Sequence, residues 1–214
     1  MSENYVQNYI CAIENPLPEM VDTFHEELEM LKNHCNKDSI VLDVGSGAGR
    51  PANMLSEYVK KIVCIDNDEK MLLAAKERYG DSANIDFLNE DALALTFPND
   101  SFDLAYATYN LVGWLKKSER QQLIDEMRRV AKEGTRIINL TWKDDKETTE
   151  FLKRYYPAIG VDIIEADEGK TVTSKGVIER ISKDELLEYY KGAELKDINF
   201  IEVNPVWVAI VGTK

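Results

Sequence analysis

Residues 41–50 read Val-Leu-Asp-Val-Gly-Ser-Gly-Ala-Gly-Arg, and Pro51 follows. An apolar run that ends in glycines and meets a proline describes a strand passing into the first turn of a helix. Glycine at 45, 47 and 49 removes the Cβ that would hold a ligand away from the backbone N–H groups, so the turn suits close approach. A dinucleotide fingerprint, G-x-G-x-x-G, would need glycine where Arg50 stands, and a P-loop would need a lysine that is missing. Two carboxylates narrow the choice. Asp66 closes the run Lys61–Ile65, and Asp91 follows a third apolar run in Asn-Glu-Asp-Ala-Leu-Ala-Leu. An acidic side chain at the end of a second strand can accept both hydroxyls of a ribose. The competing reading of both aspartates is a helix N-cap.

Such residues need a scaffold that brings successive strand ends to one edge. Strands are predicted over Ile40–Val44, Lys61–Ile65, Asn84–Leu88, Phe102–Ala107 and Thr135–Leu140. They alternate with helical patterns over Pro51–Tyr58 and Glu69–Tyr79 and with a helix opened by Ser118-x-x-Gln121, running to Ala131 and stopped by Gly134. That alternation signals βαβ units and a parallel sheet. After Leu140 the rhythm changes: 143–181 mixes charge with glycines at 160, 169 and 176, and Val161–Ala166 could pair with Thr171–Ile181 as a hairpin-like insert. Ser182-x-x-Glu185 opens a helix to Tyr190. Leu195–Val203 and Val206–Val211, around Asn204-Pro205, read as two antiparallel strands. The expected organisation is a single α/β domain over 1–214, with a helical extension at 1–36 and an insert at 143–181.

The chain has 214 residues and a formal charge of -13, with no basic run longer than two residues, which disfavours nucleic acid as a partner. Its three cysteines, Cys11, Cys35 and Cys64, have no metal-ligand spacing and read as reduced thiols. With no basic n-region before an apolar stretch and no long apolar window, a cytoplasmic protein without membrane contact is expected.

In order along 40–142, Val41–Arg50, Ile65–Leu72, and Asn89 to Ala107 with its Asp91, resemble the cofactor motifs of the class I S-adenosylmethionine (SAM) dependent methyltransferases. Among these, the resemblance is to the small-molecule methyltransferase-domain type that includes glycine and sarcosine N-methyltransferases. It implies a Rossmann-like, seven-stranded, mostly parallel sheet with an antiparallel last strand and helices on both faces. It also implies SAM as cofactor, S-adenosylhomocysteine as product, and no metal. By that resemblance Asp43 and the turn Gly45, Ser46, Gly47 and Gly49 hold the methionine end, and Asp66 the ribose. Asn67, Asp91 and the Ala92 N–H serve the adenine, and Arg50 and Tyr109 also fall in the cofactor site.

Methyl transfer from a sulfonium chiefly requires alignment in a dry cavity. The acceptor is expected beyond the fourth and fifth strands, where Thr108–Trp114 and Thr141–Lys143 lie. The resemblance places Asn110 at the acceptor. It also leaves Trp142 near where an arginine clamps carboxylates in glycine N-methyltransferase-like enzymes, which favours an aromatic or cationic acceptor. Tyr5 and Tyr9 share a helix face at the N-terminus, where related enzymes carry a lid, and Tyr9 is a candidate at the acceptor. His25 and His34 read as surface residues. The expected function is methylation of N, O or S on a small molecule by a monomer or homodimer. The alternatives are a peptide or protein acceptor docked on the insert, and a SAM-binding module without catalysis.

Overall fold

The computed structural model describes residues 3–167 and 169–214. Its strands are β1 Ile40–Val44, β2 Lys61–Asp66, β3 Ile85–Asn89, β4 Leu104–Ala107, β5 Arg136–Trp142, β6 Ile163–Asp167, β7 Lys170–Thr173, β8 Gly176–Glu179, β9 Lys196–Glu202 and β10 Trp207–Thr213. Its helices are α1 Glu3–Glu14, α2 Pro18–Lys32, α3 Arg50–Leu55, α4 Glu69–Tyr79, α5 Leu111–Trp114, α6 Lys117–Val130, α7 Lys146–Ala158 and α8 Lys183–Gly192. The main sheet has seven strands in the order β3-β2-β1-β4-β5-β10-β9. All its pairings are parallel except the two made by β10.

β1 lies inside the sheet, between β2 and β4, and is buried on both faces, which is why it reads as an apolar run rather than an alternation. Leu42 and Val44 face a core layer with α6 and α8, while Val41 faces the layer built with α1, α2, α3, α4 and α7. The pleat puts Asp43 on the same side as Val41, under the N-terminal helices. The chain order reverses beside β1, whose neighbours are β2 and β4, and a ligand crevice belongs at that point.

Three expectations need correction. The helix expected from Ser118 starts at Lys117, because the Glu119 carboxylate accepts the Lys116 N–H at 3.0 Å and fixes the first turn one register earlier. The insert holds the expected antiparallel pairing, β6 with β7, but is more than a hairpin-like pair. It contains α7, whose first turn is capped by Asp145 accepting from the Thr148 N–H at 2.8 Å, and a separate sheet β6-β7-β8. Nor does the fifth strand stop at Leu140: pairing with β10 extends it to Trp142.

Candidate active site

The three turn glycines all have positive φ, of 69°, 52° and 79° at 45, 47 and 49. At Gly47 an added Cβ would meet nothing nearer than the Tyr9 hydroxyl at 3.7 Å, so this face of the turn opens into the crevice. Asp66 stitches β2 to the turn: its Oδ2 accepts the Gly47 N–H at 2.8 Å and its Oδ1 the Asp68 N–H at 2.9 Å. The N-cap of α4 is Asp68, which accepts from Lys70 and Met71, so the capping role does not fall on Asp66. Asp91 accepts the Leu93 N–H at 2.9 Å and shapes the turn after β3. That turn is held to α6, where Glu126 accepts the Leu95 N–H and Arg129 donates to the Leu95 and Phe97 carbonyls, each at 2.8 Å.

Two adjoining cavities open over these strand ends. One, of about 240 Å³, is lined by Gly45, Asp66, Asn67, Glu90, Asp91, Ala92 and Leu93, with Leu111, Leu115 and Glu119 opposite. The second, of about 310 Å³, shares Gly45, Asp66, Asn67, Leu111 and Leu115 with the first and adds Gly47, Met71 and Thr108. The rest of its wall is aromatic except for Ile159: Tyr5, Tyr9, Tyr109, Trp114, Trp142, Tyr155 and Tyr156. A larger surface recess, of about 390 Å³, lies between α2, α7 and the β9–β10 turn and touches no end of a parallel strand.

Beneath the glycine turn sits a group of buried charges. Asp43 is fully buried and neither carboxylate oxygen has a well-formed hydrogen bond, although the Tyr106 hydroxyl lies beside it. Burial raises its pKa to about 8. The Ser46 hydroxyl is likewise buried and without a partner. Arg50 forms an ion pair of 2.6 Å with Glu27 of α2, and its guanidinium lies 4.0 Å from the Phe24 ring centre and 5.1 Å from that of Tyr109. Arg50 therefore belongs to the layer under the turn and does not line either cavity.

The acceptor side differs from expectation at one residue. Asn110 is fully buried: its amide donates to the Glu179 carbonyl at 3.2 Å, and its oxygen accepts from the Thr141 hydroxyl. It pins β4, β5 and β8 together and presents no group to the cavity, a correction to its placement at the acceptor. Tyr109 and Asn110 both have positive φ, 55° and 60°, and such backbone in non-glycine residues gathers where a site fixes a side chain. Trp142 does line the cavity, with its ring stacked 3.5 Å from Trp207. Burial raises Tyr9 and Tyr109 well above the ordinary phenol pKa and Tyr5 to about 12, so these hydroxyls stay protonated near neutral pH.

The structure thus brings Gly45, Gly47, Asp66, Asn67, Asp91, Ala92, Tyr9, Tyr109 and Trp142 to one cleft, with Asp43, Ser46, Gly49 and Arg50 behind it. Sequence reasoning missed Tyr155, Tyr156 and Ile159. Their spacing with Phe151 and Leu152 marks a helix face, and the Asp145 cap marks its start. It also missed Glu27 and Phe24, which carry no local signal.

Residues 41–134 match a family described as methyltransferase domain. The chain is 26% identical over 176 residues to a demethylmenaquinone methyltransferase of Paenarthrobacter aurescens, covering 79% of this chain and 67% of that protein. It is 32% identical over 124 residues to a ubiquinone/menaquinone biosynthesis C-methyltransferase of Pseudomonas putida, covering 55% of this chain and 46% of that protein. The chain therefore spans two thirds of the first relative and about half of the second. A SAM-dependent methyltransferase from Aquifex aeolicus shares the fold, with a TM-score of 0.68 at 20% identity over 93% of this chain and 94% of that one. Residues 41–134 thus match the methyltransferase-domain family, and the strand order of the sheet is a fold the chain shares with a SAM-dependent methyltransferase structure.

Proposed function

We propose that the protein transfers the methyl group of SAM to an uncharged small molecule held in the aromatic cavity. The observation that carries this reading is the pairing of two cavities on one glycine turn. One is lined by Asp66, Asn67, Asp91 and Ala92, and the other by seven aromatic side chains.

SAM supplies, when bound, an electrophilic methyl group on a sulfonium sulfur. The chain's own residues fit its parts. The open face of Gly47 and the unpartnered Asp43 and Ser46 suit an amino-acid end that has both an ammonium and a carboxylate. Asp66 keeps lone pairs beyond its two backbone bonds for ribose hydroxyls, and Asp91 with the Ala92 N–H suits an adenine edge. Among the described residues lining the larger cavity, Asp66 is the one carboxylate, and no lysine, arginine or histidine joins it. With Asp66 engaged by the ribose, an anionic acceptor would lose its hydration there without gaining a counter-ion. No strong base lines the cavity, so the acceptor atom brings its own lone pair or loses its proton to solvent. Neutral amines, phenols and thiols meet this condition at N, O or S. The C-methyltransferase name of one relative adds an activated carbon to the acceptors worth testing.

The 143–181 insert supports a small acceptor, because α7 gives Tyr155 and Tyr156, and its C-cap gives Ile159, to the cavity wall. Exposed Ile164 and Val177 on its small sheet favour the peptide-acceptor reading instead. Titration calorimetry with SAM, S-adenosylhomocysteine and NAD, followed by acceptor screening with methyl-labelled SAM, tests the proposal. Binding of both adenosyl ligands and labelling of an uncharged small molecule is the expected result. Tight NAD binding without a response to SAM would overturn it, and labelling confined to peptides would move the acceptor to the insert.

A further inference from the structure

We propose that Glu27 and Arg50 are positioning residues for the amino-acid end of the cofactor, which makes helix α2 part of the cofactor site. The inference rests on the SAM-binding reading above and adds a component from outside the matched methyltransferase segment, since Glu27 precedes residue 41.

The geometry is that of a closed charge group. Arg50 is the first residue of α3, directly after Gly49, so its backbone is an extension of the cofactor turn. The Arg50 and Glu27 side chains are 6% and 1% exposed, and their ion pair of 2.6 Å joins α2 to that turn. Two rings enclose the guanidinium: Phe24, one turn back on α2, and Tyr109, whose other contacts include Tyr9 of α1 and the larger cavity. Beyond the ion pair, Glu27 Oε1 and Arg50 Nε have no hydrogen-bond partner. The same holds for both Asp43 oxygens and the Ser46 hydroxyl.

Charge and unmet hydrogen bonding point to the same ligand. In the ligand-free chain Glu27 pairs with Arg50 and the buried Asp43 keeps its proton; ionising Asp43 leaves one buried negative charge that is strongly unfavourable until a cation answers it. The amino-acid end of SAM presents an ammonium and a carboxylate. An ammonium answers the ionised Asp43, whose field Glu27 reinforces, and a carboxylate answers the Ser46 hydroxyl, with the Arg50 guanidinium behind the turn supplying positive field rather than a contact. The adenosine end lies at the far cavity, where Asp66 and Asp91 stand, and makes none of these contacts. Loss of the pair should therefore weaken ligands in proportion to how much of the amino-acid end they carry.

The test compares S-adenosylhomocysteine with 5′-methylthioadenosine, which keeps the adenosine and thioether but lacks the amino-acid end. Binding of each is measured by calorimetry for the native chain, for Glu27→Gln, and for the double variant Glu27→Met with Arg50→Met. The double variant removes both charges together, so it avoids the lone buried charge that could unfold Glu27→Gln. The expected result is a loss of at least tenfold in S-adenosylhomocysteine affinity in the double variant, with methylthioadenosine changed by less than threefold and the fold intact by circular dichroism. Glu27→Asp should recover part of the lost affinity. Parallel weakening of both ligands would show that the pair merely shapes the turn, and unchanged affinities would show that it has no role; either result overturns the inference alone. A native chain that binds neither ligand overturns the SAM reading together with it.

Discussion

The two cavities of the cleft meet at Gly45, Asp66 and Asn67 but are constructed in opposite ways. The cavity proposed for adenosine is made from turns at the ends of β1, β2 and β3, with short acidic side chains locked by backbone N–H groups. The cavity proposed for the acceptor is made from large side chains delivered by α1, the segment after β4, the end of β5, and α7. A site built from turns depends on local spacing, while one built from distant aromatic rings depends on how the insert and the N-terminal helices dock. That contrast predicts that cofactor and acceptor recognition can be broken separately.

The largest effect is expected at the shared turn. Gly47→Val adds a side chain on the open face of the turn and demands a positive φ that a β-branched residue avoids. SAM affinity should fall by about 100-fold or more, on the order of 2.7 kcal/mol. Circular dichroism should remain native, because the added atoms meet almost nothing of the protein itself. On the acceptor side, Trp142→Phe and Tyr155→Phe keep most of the aromatic volume. They should lower single-turnover rates by about tenfold, while the SAM dissociation constant changes by less than about threefold, or ~0.7 kcal/mol. Equal losses of both quantities would mean that the two cavities act as one. Asn110→Ala should behave as a stability variant. It leaves the Glu179 carbonyl and the Thr141 hydroxyl without their partner, for a loss of about 1–3 kcal/mol read by denaturant titration.

The contrast also explains how much could be read in the sequence. The glycines at 45, 47 and 49, Asp66 and Asp91 are legible because each acts within a few residues of its own strand end. The parallel strands and the closing antiparallel pair follow from alternating apolar runs and the turn at Asn204-Pro205, the seven-stranded sheet is implied by the family resemblance, and the strand order appears only in the structure. Asn110 was misplaced because its position after β4 is right while its side chain turns away to Glu179, a partner 69 residues distant. Glu27 shows no signal at all, for a glutamate on a charged helix reads as solvated until Arg50 is seen opposite it. Tyr155 and Tyr156 carry a helical spacing, but the glycines at 160, 169 and 176 give the segment the pattern of turns and mask the helix between them and β5.

A pH effect sharpens the cofactor side. Asp43 holds its proton up to about pH 8 when folded, far above the usual carboxylate range. Between those two pKa values the native chain carries one more proton than the unfolded chain, so stability is greatest below the unfolded pKa and is lost as pH rises through about 8. Asp43→Asn should flatten that slope in ligand-free thermal melts, and it should remove the rise in SAM affinity that proton release gives the native protein between pH 6 and ~8. The smallest effect is expected at Asp91→Ala, which loosens one turn that Glu126 and Arg129 still hold. SAM affinity should drop by about threefold, or ~0.7 kcal/mol.

The central claim is that the cofactor's methyl group faces the aromatic cavity while its adenosine lies along Asp66 and Asp91. Nuclear magnetic resonance of SAM carrying a ¹³C-labelled methyl group reads that orientation directly. The bound methyl signal should move upfield through ring currents and show nuclear Overhauser contacts to aromatic protons, with contacts altered in Trp142→Phe and unchanged in Asp91→Ala. A bound signal at the free chemical shift, without aromatic contacts, would contradict the account.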